Sequence, residues 1–420
     1  MSILLRQATI VDPSSPFHLQ KADIFVQQGV IKSIAKELTQ DADQVIDTKN
    51  LYVSPGWVDV FAHFPDPGYE YKETLETGSL AAASGGYTDV FLLPNTTPCI
   101  HNKAGVEYIV QRTKIHPVNL HPIAAITRDT EGKDLAEMYD MGISGAVAYS
   151  DGLNSLQSPG VMLKALQYVQ AVSKTIIQLP DDKSVNPAGL MNEGVVSTQL
   201  GLPGRPAIAE ELMIARDIEL LKYTGSKLHI TGISTKKSVE LIKKAKEDGL
   251  DISCSVTPYH IFFTENDLKS YDTNLKVNPP LRSEDDRAAL RQAILDGTVD
   301  CIASHHIPQD NDSKVVEFEY ARHGMIGLQT AFALIRTSLP ELSIEKLVEL
   351  FSSNARRIFD LNKGKIDVNN FASLTLFVPD QQISFEKTDN MSKSSNSPLF
   401  GKTLIGKPVG IINKERLFLS

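Results

Sequence analysis

Apolar and polar positions follow two different periods along the middle of the chain. From about residue 52 to residue 350, short apolar runs typical of buried β-strands alternate with longer stretches that have the spacing of amphipathic helices. The strand pattern occurs in VDVFAHF, TDVFLLPN, LHPIAAIT, ISGAVAYS, TIIQLP, KLHITGIS, ISCSVTP and VDCIASHH. Stretches between them, such as VMLKALQYVQAVS and KKSVELIKKAKEDG, predict helices, and several end in glycine, which is common at helix C-termini.

The repeated strand-then-helix pattern predicts a closed (β/α)8 barrel of the TIM type over residues 55–364. An open, doubly wound sheet is the alternative, but no G-x-G-x-x-G motif follows the first strand to favour it. Both ends of the chain contain short strand-like runs instead of helical stretches. We therefore predict a small, discontinuous β-sandwich domain made of residues 1–54 and 365–420, which includes a polar, mobile loop, NMSKSSNSP.

Composition restricts the class of function. The formal net charge is −9 and the chain has no basic block, so nothing predicts nucleic-acid binding. No apolar run has the length of a membrane span, and the N-terminal MSILLRQATIVDP has a strand pattern, not that of a signal peptide. Cys99, Cys254 and Cys301 form no CxxC pair, which indicates free thiols in a reducing compartment. We expect a cytoplasmic protein that binds neither nucleic acid nor membrane.

Several segments together resemble the dihydroorotases of the amidohydrolase superfamily. They are SPGWVD, DPGYEYKETLETGSLAAASGGYTDVFLLPNTTP, MNEGVVSTQLGLPGRPAIAEELMIARDIEL, ISTKKSVELIKKAKEDG, VTPYH, NPPLRSEDDRAALRQAILDGTVDCIA and HGMIGLQTA. The resemblance covers nearly the whole chain, and it implies the same barrel with a β-sandwich from both termini. It also implies a zinc-bound hydroxide that opens and closes the dihydroorotate ring in pyrimidine synthesis, since a bound metal lowers the pKa of water.

Most positions at which the resemblance implies metal ligands have changed. These positions hold Phe61, His63, Asp151, Gln178, Gly232 and His305. His63 and Asp151 keep residue types that the family uses, whereas His305 replaces an aspartate that would bind metal and transfer protons. Phe61, Gln178 and Gly232 stand where the family has histidines. A phenyl ring cannot coordinate zinc, a side-chain amide is a poor zinc ligand, and glycine offers no side chain.

The residues that would hold the substrate have changed as well. The resemblance places a carboxylate-binding arginine at Pro65 and a substrate-binding histidine at Gln309. Proline donates no hydrogen bond, so the charge-assisted pair with a substrate carboxylate is lost. Asn95 and Asn278 keep the family's residue type and remain the candidates for substrate binding.

The sequence therefore predicts a dihydroorotase-like protein without catalysis and without a bound metal. Some family members have lost catalysis and act as structural partners of aspartate carbamoyltransferase, and the resemblance implies this partner and a homo-oligomer. The alternative is an active cyclic amidohydrolase that uses a single Zn²⁺. His63, Asp151 and His305 would hold that ion, with Asp151 and His305 as the residual catalytic candidates, because three protein ligands and a water make a workable catalytic zinc site.

Overall fold

The computed structural model describes all 420 residues. Its strands are β1 (Ser2–Ile10), β2 (Lys21–Gln27), β3 (Val30–Ala35), β4 (Gln44–Ile46), β5 (Tyr52–Pro55), β6 (Trp57–Ala62), β7 (Tyr87–Leu92), β8 (Asn119–Ala124), β9 (Ala148–Tyr149), β10 (Thr175–Gln178), β11 (Met191–Asn192), β12 (Gly204–Arg205), β13 (Leu228–Thr231), β14 (Ile252–Val256), β15 (Cys301–Ile302), β16 (Ser373–Ser384), β17 (Thr403–Asn413) and β18 (Arg416–Leu419).

The helices lie mainly between the middle strands. They are α1 (Leu75–Ser84), α2 (Lys103–Arg112), α3 (Met138–Ile143), α4 (Pro159–Val169), α5 (Val195–Leu200), α6 (Ile208–Thr224), α7 (Lys236–Glu247), α8 (Pro258–Phe262), α9 (Glu284–Leu295), α10 (Asn311–Lys314), α11 (Ala331–Ser338), α12 (Ile344–Val348) and α13 (Asn354–Ile358). None of them is both long enough and apolar enough to cross a bilayer.

Eight parallel strands form the central barrel, in the order β6, β7, β8, β9, β10, β13, β14, β15. Each of the predicted strand runs contains one of them, and the predicted fold class is confirmed. The barrel closes between its first and last strands, where Ala62 forms a bridge with His306. At the same seam, the backbone N–H of Ser304 donates to the carboxylate of Asp59 at 2.6 Å.

The outer helices follow the amphipathic pattern. Helix α7 begins after Thr235, whose hydroxyl accepts a hydrogen bond from the backbone N–H of Ser238 and so caps the helix. Its buried apolar residues, Val239, Ile242 and Ala245, recur at three-residue intervals and face the barrel, whereas its lysines and glutamates mostly face water. A helix of this kind is stabilised mainly by its packing on the strands.

Strands from both ends of the chain form one mixed sheet next to the barrel. Its order is β3, β2, β1, β5, β16, β17, β18, and β4 pairs with the free part of β1. The pairs of β1 with β4 and β5 are parallel, and the remaining pairs are antiparallel. The second domain is thus a single continuous sheet assembled from both termini. Trp57 of the barrel packs against Phe377 of this sheet, with ring centroids 5.3 Å apart.

The polar segment at residues 390–398 is anchored to the barrel. Ser392, Ser394 and Asn396 in it are buried. The carboxylate of Glu73 accepts hydrogen bonds from the Ser392 hydroxyl and from the backbone N–H of Lys393. These contacts place a loop that the sequence predicts to be mobile over the start of α1.

Candidate functional site

The strands of the barrel deliver the predicted site residues to their carboxyl ends, where active sites of such barrels lie. His63 follows β6, Asp151 follows β9, Gly232 follows β13, and His305 follows β15. The side chains do not converge on a common point. No group of three or more histidine, cysteine, aspartate or glutamate side chains lies in an arrangement that could hold a metal ion.

His305 occupies the centre of the barrel mouth. Its ring is fully buried and stacks on the ring of Phe61, with centroids 4.4 Å apart and an interplanar angle of 29°. Nε2 lies 2.8 Å from the hydroxyl of Thr231, whereas Nδ1 is buried without a partner. Burial, with smaller effects of His260 and His229, lowers the pKa of His305 to about 3. The ring is therefore neutral at physiological pH.

Phe61 provides the other ring of this stack. It is fully buried in a cluster of apolar side chains inside the barrel, together with Val60, Phe91 and Ile177. A phenyl ring in this place fills the volume next to the barrel axis and offers no lone pair to a cation. The sequence-based interpretation of Phe61 as a residue that cannot coordinate is consistent with this packing.

Gly232 provides the space that the His305 ring fills. A Cβ atom built on Gly232 would lie 2.7 Å from Cε1 and 3.3 Å from Nε2 of His305. The backbone of Gly232 has φ +69°, a conformation that residues with side chains rarely adopt. The His305 ring can therefore occupy this position because residue 232 has no side chain.

A chain of buried hydrogen bonds continues from His305 into the barrel. Thr231 Oγ1 lies 2.9 Å from Ser255 Oγ, and Ser255 Oγ lies 3.0 Å from Nε2 of His229. Nδ1 of His229 is in turn 2.8 Å from Ser253 Oγ. Burial lowers the pKa of His229 to about 3. The interior beneath the mouth is therefore a neutral, hydrogen-bonded network, in which His229 has a structural role.

His63 is bound to the backbone of the neighbouring strand connection. Its Nε2 lies 2.9 Å from the carbonyl oxygen of Asn95. A carbonyl oxygen can only accept, so Nε2 carries the proton and Nδ1 keeps the lone pair of the neutral ring. Burial lowers the pKa of His63 to about 4.

Asp151 is used to hold two strand ends together. One carboxylate oxygen accepts hydrogen bonds from the backbone N–H groups of Ile126 and Thr127, both at 2.9 Å. The other oxygen accepts from the Thr127 hydroxyl at 2.5 Å. Burial nevertheless raises the pKa of Asp151 to about 6. Asn95, the first predicted substrate contact, donates to the Asp151 carbonyl and accepts from the Leu153 N–H, so both ends of its amide are occupied.

The structure corrects the assignment on the fifth barrel strand. Gln178 contacts Leu156 and lies 3.3 Å from the sulfur of Met213 on α6, so its side chain points outward and away from the mouth. Alternation along the strand turns Leu179 inward instead. The Cδ1 atom of Leu179 lies 3.4 Å from the position of a Cβ on Gly232. The inner position at this strand end is therefore a leucine.

The altered substrate positions have structural partners. Pro65 is buried, and it cannot take the place of a carboxylate-binding arginine. Gln309 donates from Nε2 to the carbonyl oxygen of His323 at 2.8 Å, while its own Oε1 is buried without a partner. Asn278 is half-buried and lines a cavity at the barrel mouth. Of the two predicted substrate contacts, Asn278 is the one that faces open space.

This arrangement does not fit a zinc ion. The alternative ligand set would need His63, Asp151 and His305 to direct lone pairs to one point. In the structure these side chains form no such group, because Asp151 accepts three hydrogen bonds and the His305 ring lies flat on Phe61. Whether the protein carries a metal in solution remains a prediction to be measured.

The sequence analysis did not identify the basic side chains around the cavity. Lys183, Arg205, Arg322 and His323 line it together with Asn278. They come from segments up to 140 positions apart in the chain, so no basic cluster is visible in the sequence. The Arg205 residue lies in GLPGRPAIAEE, a segment used for the resemblance, but its chemistry becomes apparent only when the loops are placed side by side.

Comparisons with known proteins agree with the barrel fold and identify the family of the chain. The family model described as Dihydro-orotase-like matches residues 50–238. Proteins named Dihydroorotase align over nearly the full length of both chains. The protein from Ruminiclostridium cellulolyticum is 39% identical over 97% of this chain and 96% of the relative, and that from Pelotomaculum thermopropionicum is 39% identical over 100% and 99%. The chain belongs to the dihydroorotase family.

Solved structures extend the likeness beyond this family. The L-hydantoinase (dihydropyrimidinase) from Arthrobacter aurescens superposes with a TM-score of 0.87 over 100% of this chain and 96% of that chain, at 23% identity. A dihydropyrimidinase from Brevibacillus agri gives a TM-score of 0.84 at 17% identity. At such identities the likeness establishes the shared fold of dihydroorotase and hydantoinase chains.

Proposed function

We propose that this dihydroorotase-family chain neither forms nor opens the dihydroorotate ring and acts as the structural partner of aspartate carbamoyltransferase in pyrimidine synthesis. The observation that carries the loss of catalysis is the stack of His305 on Phe61 above Gly232. The ring lies where the resemblance implies metal ligands, and it is neutral and buried. Hydrolysis of a cyclic amide at neutral pH needs an activated water, and these side chains do not supply one.

Loss of the carboxylate-binding arginine also supports this proposal. A charge-assisted hydrogen bond to a carboxylate contributes about 1.5–3 kcal/mol, and Pro65 provides none. Asn95 is occupied by Asp151 and Leu153. Even with a nucleophile present, dihydroorotate would lose much of the binding energy that orients it.

Exposed apolar side chains support a role in assembly. Val315, Val316 and Tyr320 lie within one short segment after α10 and are 80%, 37% and 70% exposed. Exposed apolar groups gathered in one segment are typical of surfaces that contact other proteins. A stable complex with the transferase would bury roughly 1,200–2,000 Å² or more.

The second candidate function is an active cyclic amidohydrolase with one Zn²⁺ on His63, Asp151 and His305. The names of the full-length relatives, which are 37–40% identical to this chain, favour this candidate over the loss of catalysis. It requires a rearrangement of the mouth. His305 would have to leave the Phe61 ring, and Asp151 would have to exchange at least one of its three donors for the metal.

Elemental analysis together with a turnover assay distinguishes the two functions. We expect well under one zinc per chain in protein purified without chelators, and no conversion of dihydroorotate above the buffer rate. One tightly held zinc that is lost in His63→Ala and kept in His18→Ala, with turnover that is lost in Asp151→Ala, would establish the second candidate. His18 serves as the control because it lies in the terminal sheet domain.

The partner role has its own test. Mixing the chain with the transferase of the same organism should give one larger species in size-exclusion chromatography. Val315→Glu and Tyr320→Glu should separate the two proteins, because a charge would be buried in the interface. Tyr223→Glu is the control, since Tyr223 is 75% exposed but lies in the last turn of α6, outside the segment that contains Val315 and Tyr320. Separate elution of the wild-type proteins at tens of micromolar would refute the partnership.

A further inference from the structure

A cavity of about 480 Å³ remains at the mouth of the barrel, beside the plugged centre. Its volume is in the range of sites for small organic molecules. The segments after β9, β10, β14 and β15 form its walls, and Leu179, Val277 and Ile307 supply apolar surface. The cavity therefore offers both a polar rim and an apolar wall.

The charged residues of the wall are unbalanced. Lys183, Arg205 and Arg322 line the cavity, and Asp181 is the single carboxylate among the lining residues. Asp181 is already paired with Arg205, whose Nε donates to its Oδ1 at 2.9 Å. Three positive charges and one negative charge leave the wall with a net charge of +2. Asp310 is close enough to Lys72 to influence its pKa, but it does not line the cavity.

The three cations approach from separate directions. Lys183 belongs to the loop after β10, Arg205 to β12, and Arg322 to the segment after α10. Arg205 is buried and held by Asp181, so it is a fixed part of the wall. Lys183 and Arg322 are exposed to solvent, and neither forms an ion pair within the chain. They are free to close on a ligand.

His323 is an additional polar group of the wall. Its side chain is exposed and lines the cavity. A neutral imidazole can donate one hydrogen bond and accept another, so His323 can bind an oxygen of a ligand.

We propose that this cavity binds a small phosphorylated metabolite, with its phosphate group held by Lys183, Arg205 and Arg322. A phosphate monoester carries a charge of about −1.5 to −2 at pH 7, which matches the wall. Its three terminal oxygens can each accept a hydrogen bond from a different cation. One carboxylate presents two oxygens in a plane and would leave a cation unmatched. The site needs no metal and does not depend on the proposed partnership.

Titration with inorganic phosphate tests this site on the full chain. Binding is followed by isothermal titration calorimetry at an ionic strength of about 0.05 M, where screening is weak. Arg322→Gln and Lys183→Gln are the test variants, because both side chains are exposed and make no ion pair whose loss would unfold the protein. Arg357→Gln and Lys222→Gln are the matched controls, as exposed cations on helices α13 and α6 that do not line the cavity.

We expect saturable binding of phosphate that weakens about tenfold or more in each test variant and stays unchanged in both controls. Absence of binding at about 10 mM phosphate would overturn the proposal. The same holds if both test variants bind phosphate as tightly as the wild type does. Malonate is the competing probe, since it carries two carboxylates. If malonate binds at least about tenfold more tightly than phosphate through the same two residues, the assignment to a phosphate group is wrong.

Discussion

The substitution Gly232→Ala tests the packing on which the proposed loss of catalysis rests. Two separate costs are expected. The first is conformational. Gly232 has φ +69°, and an alanine in this left-handed conformation lowers the free energy of unfolding by about 1–2 kcal/mol. The second is steric, because the new Cβ would lie 2.7 Å from Cε1 of His305. Overpacking of this kind costs about 1–3 kcal/mol, so we expect a total loss of about 2–5 kcal/mol in the free energy of unfolding.

A matched variant separates these costs. Gly225 has φ +65°, and a Cβ built on it meets no atom within 4 Å. Gly225→Ala should therefore show the conformational cost alone. In a His305→Ala background the ring is gone, so Gly232→Ala should cost no more than Gly225→Ala. The difference between the two backgrounds is the coupling energy between residues 232 and 305.

Urea unfolding, followed by tryptophan fluorescence, measures all of these variants. Trp57 is the only tryptophan in the chain and is 1% exposed at the start of the first barrel strand, so its emission reports on the barrel. Free energies are compared by linear extrapolation. If Gly232→Ala and Gly225→Ala agree within about 0.5 kcal/mol, or if His305→Ala leaves the cost of Gly232→Ala unchanged, the ring does not occupy the mouth as described.

Two further predictions concern buried charges elsewhere. Arg356→Met should destabilise the protein by about 3–5 kcal/mol, because it removes the guanidinium that lies 2.7 Å from the buried carboxylate of Asp89. Lys103→Met is the control, because it breaks only the exposed pair with Glu107. It should cost less than about 0.5 kcal/mol in the same urea assay. Burial raises the pKa of Asp217 from 3.8 to about 6, so the folded state holds this proton more tightly than the unfolded state, and the free energy of unfolding should fall as the pH rises from about 4 through 6. Asp217→Asn should remove up to about 3 kcal/mol of that fall, and a wild-type-minus-variant difference that is the same at about pH 4 and about pH 7 would contradict this.

Much of the fold could be predicted from the sequence because it depends on periodicity. Apolar strand runs and amphipathic helices repeat with glycines at several helix ends, and this pattern is strong enough to predict a closed barrel. The strand content of both termini was also visible. How the terminal strands pair was not, since β1 takes β4 and β5 as parallel partners and β2 as an antiparallel one. Pairing of distant strands leaves no local signal.

The candidate site was predictable only in part. The residue type of Phe61 predicted a side chain that cannot coordinate a metal, and the structure places this ring in a buried apolar cluster. The outward direction of Gln178 depends on the register of a four-residue strand, and a shift of one residue exchanges the two faces. The cations at residues 183, 205 and 322 come together only through loop placement. Sequence spacing carries no information about such contacts.

The residues at the barrel mouth are coupled to one another, and this coupling determines what a single substitution there would do. A histidine at residue 232 cannot be accommodated while the ring of His305 lies 2.7 Å from its Cβ position. Removing that ring alone would leave a cavity beside Phe61, and the Thr231 hydroxyl would keep only Ser255 of its two hydrogen-bond partners. A single substitution at residue 232 or 305 is therefore expected to cost stability. The side chains at residues 61, 179 and 305 pack against one another and against Gly232. The effect of a substitution at any one of these four positions therefore depends on the residues at the other three.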